Sequence, residues 1–154
     1  MLSMEALIDS ETLIANMSRR GNELPDKLQK LVTEVSFITQ GNIQDEAPVK
    51  TANLQSSIRR ENLGMLQSRV YADTGIAPYV EYVIGGTQPH EIVITPKNAQ
   101  ALNTPYGLFK KVVVNHPGTS ANPFFDRGIE NSKSDIDAEI ESFTSWLTGE
   151  SDDY

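Results

Sequence analysis

The chain has no cysteine, only two histidines and a single tryptophan. The missing thiol removes a disulfide frame, a thiolate metal site and a thiol nucleophile at once, and it leaves the fold indifferent to redox compartment. His90 and His116 are then the only imidazoles, and neither sits in a metal-ligand spacing. His90 and Glu91 open a strand, whose successive side chains face opposite ways, so the two cannot hold one ion. His116 precedes Pro117 and reads as a turn histidine. There is no phosphate loop, nucleophile elbow or paired-glycine fingerprint, and Gly85-Gly86-Thr87 lacks the lysine and helix start of a nucleotide cradle. The expectation is a protein that is not an enzyme, with no catalytic, cofactor-binding or metal-binding residues and no cofactor.

Two further absences narrow the class. No apolar run approaches membrane-spanning length, and the start Met1-Leu2-Ser3-Met4-Glu5 is acidic where a signal peptide is basic; this predicts a soluble protein made in the cytoplasm, with no membrane partner. Positive charge is scarce as well, 13 Lys and Arg against 21 Asp and Glu, for a formal net charge of −8. Nucleic-acid binding draws most of its affinity from cations on phosphates, so a sequence-reading role is disfavoured. The acids gather in the first third and from Glu130 onward, whereas Arg59, Arg60, Arg69, Lys110 and Lys111 nearly balance the middle. Acidic helical parts could therefore meet basic patches on other copies, or simply be solvated helix faces.

What is present fits one domain over residues 1–149 and a short, frayed acidic tail over 150–154. Met4, Leu7, Ile8, Ile14 and Met17 are spaced for a first helix that ends at Arg19-Arg20-Gly21. A second helix restarts at Asn22-Glu23-Leu24-Pro25 and carries the stripe Leu24, Leu28, Leu31, Val32, Val35 and Ile38, ending either at Gly41 or near Glu46. Leu54 and Ile58 anchor the loop that follows Pro48. A hairpin is expected from Ser57–Glu61 and Met65–Asp73 about Asn62-Leu63-Gly64, then a short packed helix from Ala77 to Ile84 and a flexible Gly85–Pro89. Strands at His90–Thr95 and Leu108–Asn115 follow. The fold class is α+β: a small, mostly antiparallel four-stranded sheet, with N-terminal helices and a long C-terminal helix packed on it.

The chain turns on Lys110–Asp126, where a strand stops at His116-Pro117-Gly118 and a helix begins. Asn122 is read as its cap and Pro123 as its first residue. Phe124 and Phe125 point about 100° apart on that first turn, so they can reach two surfaces. The helix then places Phe125, Ile129, Ser132, Ile136, Ile140, Phe143 and Leu147 on one stripe and ends at Gly149. Trp146 falls off the stripe and is expected half exposed. Glu81, amid Tyr79, Val80 and Tyr82, is expected to pair with Arg59, Arg60 or Arg69.

Ala47-Pro48-Val49-Lys50-Thr51-Ala52-Asn53-Leu54-Gln55-Ser56-Ser57-Ile58 resembles the segment A-P-V-D-T-G-x-L-R-x-S-I of the neck and tail-completion proteins of long-tailed bacteriophages, the family of the tenth gene product of phage Hong Kong 97. Ala77-Pro78-Tyr79-Val80-Glu81-Tyr82 with Gly86-Thr87 is similar to that family's A-x-Y-V-E-x-G-T, and Asn122-Pro123-Phe124-Phe125 to its closing x-P-F. The motifs span residues 47 to about 130 and leave the N-terminal helices uncovered. Ala52 stands where the family prefers glycine, Lys50 where it prefers aspartate, and Val83-Ile84-Gly85 is inserted before Gly86. The resemblance implies a virion structural protein of the head-to-tail connector, made in the host cytoplasm. It would form a homo-oligomeric, hexameric ring between portal-side and tail-tube proteins and let DNA pass without specific binding. The residues to contact partners are then Tyr79, Glu81, Tyr82, Gly86, Thr87, Phe124, Phe125, Arg59 and Arg60. Two other classes remain open to the residues alone: a small acidic binding or chaperone-like module, and a metal-dependent hydrolase using His90, His116 and a carboxylate.

Overall fold

The computed structural model describes residues 10–48, 52–97 and 99–149, without side chains for 10–16. The start of the expected first helix, the turn at Lys50-Thr51 and the acidic tail lie outside the described residues. Helix α1 (Ser10–Glu46) is followed by a short α2 (Asn53–Ser57), a hairpin of β1 (Ile58–Gly64) and β2 (Gln67–Ala72), and α3 (Val80–Gly85). Strands β3 (His90–Ile94), β4 (Leu102–Thr104), β5 (Gly107–Phe109) and β6 (Val112–His116) precede the long α4 (Phe124–Thr148).

The two expected N-terminal helices are one. Pro25 lies inside α1, where its missing N–H and ring crowding ordinarily cost about 3 kcal/mol. Packing outweighs that cost, because α1 and α4 run antiparallel along much of their length. At one end Glu46 accepts from Arg127 Nε at 2.7 Å and from Asn131 Nδ2 at 3.0 Å. At the other, Arg20 donates to the carbonyl of Trp146 and stands over the indole. The basic residue that reads as the C-terminal cation of its own helix therefore serves the C-terminus of α4, where a positive charge meets the open carbonyls. Gly149, in the left-handed region at φ 92°, closes that end as expected.

Between these ends the helices nearly touch. A Cβ on Gly128 would lie 2.5 Å from the Cα of Ile43, and Ser132, one turn on, is fully buried with its hydroxyl returned to the Gly128 carbonyl. Beside this crossing lies the core of Ile43, Ala47, Leu54, Ile58, Ala77, Val80 and Phe124. Its members come from all three of the motif segments. Paired amides lock α2 and β1 onto α1: Gln40 Nε2 donates to Ile58 O, and Gln44 and Gln55 exchange bonds with each other's backbone carbonyls. Trp146 is 2 % exposed, not half exposed, packed on Phe143 and beneath Lys27 and Arg20.

The α+β class holds, but the four-stranded sheet does not. The strands form three separate antiparallel pairs, β1–β2, β3–β6 and β4–β5. The expected last strand breaks at Lys110, so that β5 folds back on β4 while β6 pairs with β3, His90 opposite His116 and Ile94 opposite Val112. The hairpin turns at Met65-Leu66, beyond the expected Asn62-Leu63-Gly64, and its register shifts between Asn62 and Gly64. Asn122 does not cap α4. The helix begins at Phe124 with no side-chain cap, and Asn122 Oδ1 instead accepts from Arg127 Nη2 at 2.7 Å.

Two substitutions test this geometry with opposite signs. Gly128→Ala should destabilise by about 1–3 kcal/mol, because overpacking against backbone outweighs the better helix propensity. Gly21→Ala, where an added Cβ meets nothing within 4 Å, should be neutral or stabilising. Among the described residues Ala52 is the non-glycine residue at positive φ, 55°, at the position where the segment it resembles carries glycine. Ala52→Gly should therefore raise stability by about 1 kcal/mol through relief of the left-handed strain. Urea unfolding of the three variants beside the parent reads all these differences.

Candidate interaction surface

Every residue set aside for partner contact can now be placed. Phe124 is 0 % exposed, inside the chain's own core. Phe125 meets it edge-on and turns the other way, into a groove. Arg60 is held within the chain, its guanidinium 3.4 Å from the centroid of Phe37 and 3.1 Å from Ser36 Oγ, so it ties the hairpin to α1. Arg59 pairs with Asp73 at 3.4 Å and Arg69 pairs with Glu61 across the hairpin. The pairing expected of Glu81 with an arginine is thus not made; Glu81 is exposed on α3. Tyr79 and Tyr82 are exposed beside it.

Gly86 and Thr87 do something more specific. Thr87 and Thr119 form a backbone bridge, N–H to carbonyl in both directions at 2.9 and 3.0 Å, with their hydroxyls 3.1 Å apart. Gly86 (φ 69°) and Gly118 (φ 83°) flank this bridge, each lying against the backbone of the opposite segment. Gly86 meets Thr119 and Ala121, and Gly118 meets Thr87 and Gln88. Only glycine fits both the conformation and the space. The Asn122 N–H donates to the Val83 carbonyl at 3.0 Å, so the crossing is also fastened to α3.

Directly above, His90 and His116 face each other across β3–β6 with ring centroids 5.1 Å apart. His90 Nδ1 lies 2.8 Å from the Gln88 carbonyl, and His116 Nδ1 accepts the Gly118 N–H at 3.1 Å. Both rings are thus fixed by the turns at the base of the strands. With Tyr79, Tyr82 and Val83 they wall a shallow concavity of about 460 Å³. Among the described residues no group of three or more His, Cys, Asp and Glu is placed to hold a metal ion.

A larger surface was not evident from the sequence. An open, mainly apolar groove of about 790 Å³ runs between α1, the hairpin and α4. Leu31, Val32 and Val35 form one wall, Leu63, Leu66 and Val70 a second, and Phe125, Ile129, Ile136 and Ile140 the third. The apolar stripe of α4 is therefore divided. Ser132 and Phe143 are buried, joined by the off-stripe Phe124, Gly128 and Trp146, whereas Ile129 and Ile140 stay more than two-fifths exposed. A signal for the groove did exist in Leu63, Met65 and Leu66, three large apolar residues in a turn that ordinarily takes polar ones.

Gly118→Ala tests the glycine crossing. The added methyl would overlap the Thr87 carbonyl oxygen at a φ that disfavours any side chain. Protection of the Thr87 and Thr119 amides from hydrogen exchange should fall at least tenfold, while that of Ile43 in the core remains; unchanged Thr119 protection would refute the clamp.

No helix among the described residues is long and apolar enough to cross a membrane. No curated protein and no solved structure matches the chain. One family model does, over residues 11–82, described as "Bacteriophage HK97-gp10, putative tail-component". The matched stretch takes in α1, which the motifs left uncovered, together with α2, the hairpin and the Tyr79–Tyr82 segment, and stops before the glycine crossing and Asn122-Pro123-Phe124-Phe125. Over those residues, just under half of its length, the chain resembles the phage tail-component family of the tenth gene product of Hong Kong 97.

Proposed function

We propose that the chain is a structural protein of the head-to-tail connector of a long-tailed phage, acting as a neck or tail-completion ring without catalysis. The observation that carries this reading is the match to a tail-component family over just under half of the chain, a stretch that supplies every member of the core cluster except Phe124. The surfaces support it. An exposed apolar groove and a projecting β structure are unusual on a chain that stays alone, since large apolar patches mark contact sites. In the connector the copies form a hexameric ring, with portal-side proteins on one side and tail-tube proteins on the other, and Tyr79, Tyr82 and Phe125 lie among the contact residues.

Charge fits passage of DNA without capture. At −8 on each copy, a ring repels phosphates and lets a duplex slide, whereas a basic lumen would hold it by counterion release. The described arginines Arg59, Arg69 and Arg127 are engaged with carboxylates of the same chain, which leaves them poorly placed to bind DNA.

Removing the chain from the phage genome that encodes it should yield full heads and finished tails that fail to join, seen by electron microscopy, with infectivity restored by supplying the protein in trans. Joined, infective particles in its absence would refute the connector role. Duplex DNA titrated against the purified protein at low salt should show no retardation; tight binding that weakens steeply with salt would place a basic surface on the DNA and overturn the account of the channel.

A further inference from the structure

The β3–β6 ribbon lies outside the stretch matched by the family model, and its composition does not suit a strand pair left in water. Ile92, Val93 and Ile94 face Val114, Val113 and Val112 in register. Because successive side chains point to opposite sides of a strand, both faces of the ribbon are β-branched and apolar. That is the pattern of a strand covered on both faces, not of a surface hairpin with one wet side. Yet Ile92, Val93, Ile94, Val113 and Val114 are 37–51 % exposed.

Among the described residues the ribbon is also open at both edges. It is a two-stranded sheet, so each strand presents one unpaired row of backbone N–H and C=O groups. Exposed edges are ordinarily blunted by an inward lysine, a proline or a bulge. Here the five-residue register is unbroken, and the prolines, Pro89, Pro96 and Pro117, stand outside it. An isolated two-stranded ribbon is marginal in water. This one is held by its chain chiefly at the base, through the Thr87–Thr119 bridge and the two glycines.

We propose that this ribbon is completed by second copies of the chain, β6 of one copy pairing with β3 of the next, so that the ribbons join into one continuous antiparallel sheet. Two features select a second copy over another extended segment. A single foreign strand would satisfy one edge and leave the other open, whereas a head-to-tail neighbour satisfies both, because every copy offers one β3 edge and one β6 edge. Rotation about a common axis keeps the sense of the ribbon, so β3 of the neighbour runs antiparallel to β6, the same ladder as within the chain. The inference rests on the ring reading above and names the surface through which that ring closes.

The absence of native cysteine makes the test direct. Ile92→Cys on β3 and each of Val112→Cys, Val113→Cys and Val114→Cys on β6 are exposed or half-exposed single substitutions in the full chain. Mixed in pairs, one partner isotope-labelled, and oxidised mildly, β3 and β6 variants should give disulfide-linked dimers of mixed mass in at least one combination, since bridging needs Cα atoms within about 7 Å. Each variant alone should give at least fivefold less. Equal yields from single variants would mean like-edge pairing, and no dimer in any mixture would mean an edge left open or given to another protein; either overturns the proposal. Amide exchange on the unsubstituted chain guards against misfolded variants: protection at Ile92–Ile94 and Val112–Val114 should rise with protein concentration while that of Ile43 does not. Protection that ignores concentration also refutes it. If both measurements fail while phage lacking the chain still leaves heads and tails apart, the ribbon inference falls and the connector role stands. Mixed dimers together with normal particle joining would mean the reverse.

Discussion

The contact on which the rest depends is that of Ile43 with Gly128, where α1 and α4 come close enough to exclude a methyl group. Close approach lets α4 cover Ile43 completely, and it brings the start of α4, with Phe124, into the same core as Ala47, Leu54 and Ile58. The charged and polar contacts at either end, Glu46 with Arg127 and Arg20 with the last turn of α4, then fix how the two helices are aligned. Small residues at the crossing, Gly128 and Ser132, are therefore as much a part of the fold as the large apolar ones beside them.

This arrangement explains why the three family-like segments occur together. Ala47, Leu54 and Ile58 come from the first, Ala77 and Val80 from the second, and Phe124 from the third, and all six are buried in one cluster. Their spacing is set by packing within the chain. The surface left exposed or half-exposed is built from what surrounds them: Phe125 rather than Phe124, the turn residues Leu63 and Leu66, Tyr79 and Tyr82, and the ribbon beyond the glycine crossing.

The division of α4 into two faces carries the same lesson in energetic terms. A stripe that would bury fully against a broad sheet instead meets a helix on one side and an open groove on the other. Burial of an apolar side chain is worth about 1.5–3 kcal/mol, and at Ile129 and Ile140 much of that is left unrealised within the chain. Surface that a folded chain leaves half-covered in this way is available to stabilise an assembly, and it is consistent with the exposed side chains of the β3–β6 ribbon.

The sequence by itself determined what is local. Periodicity marks α4 and its end at Gly149, alternation and turn residues mark the hairpin near Asn62–Leu66, the aromatic run before Gly85 marks α3, and His90–Ile94 reads as a strand from its β-branched content. Each of these rests on interactions within a few residues. Tertiary structure decided what lies across from each element. Pro25 stays inside α1 because α4 packs along it, Arg20 serves another helix, Trp146 is buried by residues more than a hundred positions away, and the strands pair off two by two, β5 folding back on β4 while β6 reaches β3. Periodicity reports which residues share a face, but not what covers that face. The cover comes from distant segments, whose contribution outweighs local preference wherever the two disagree.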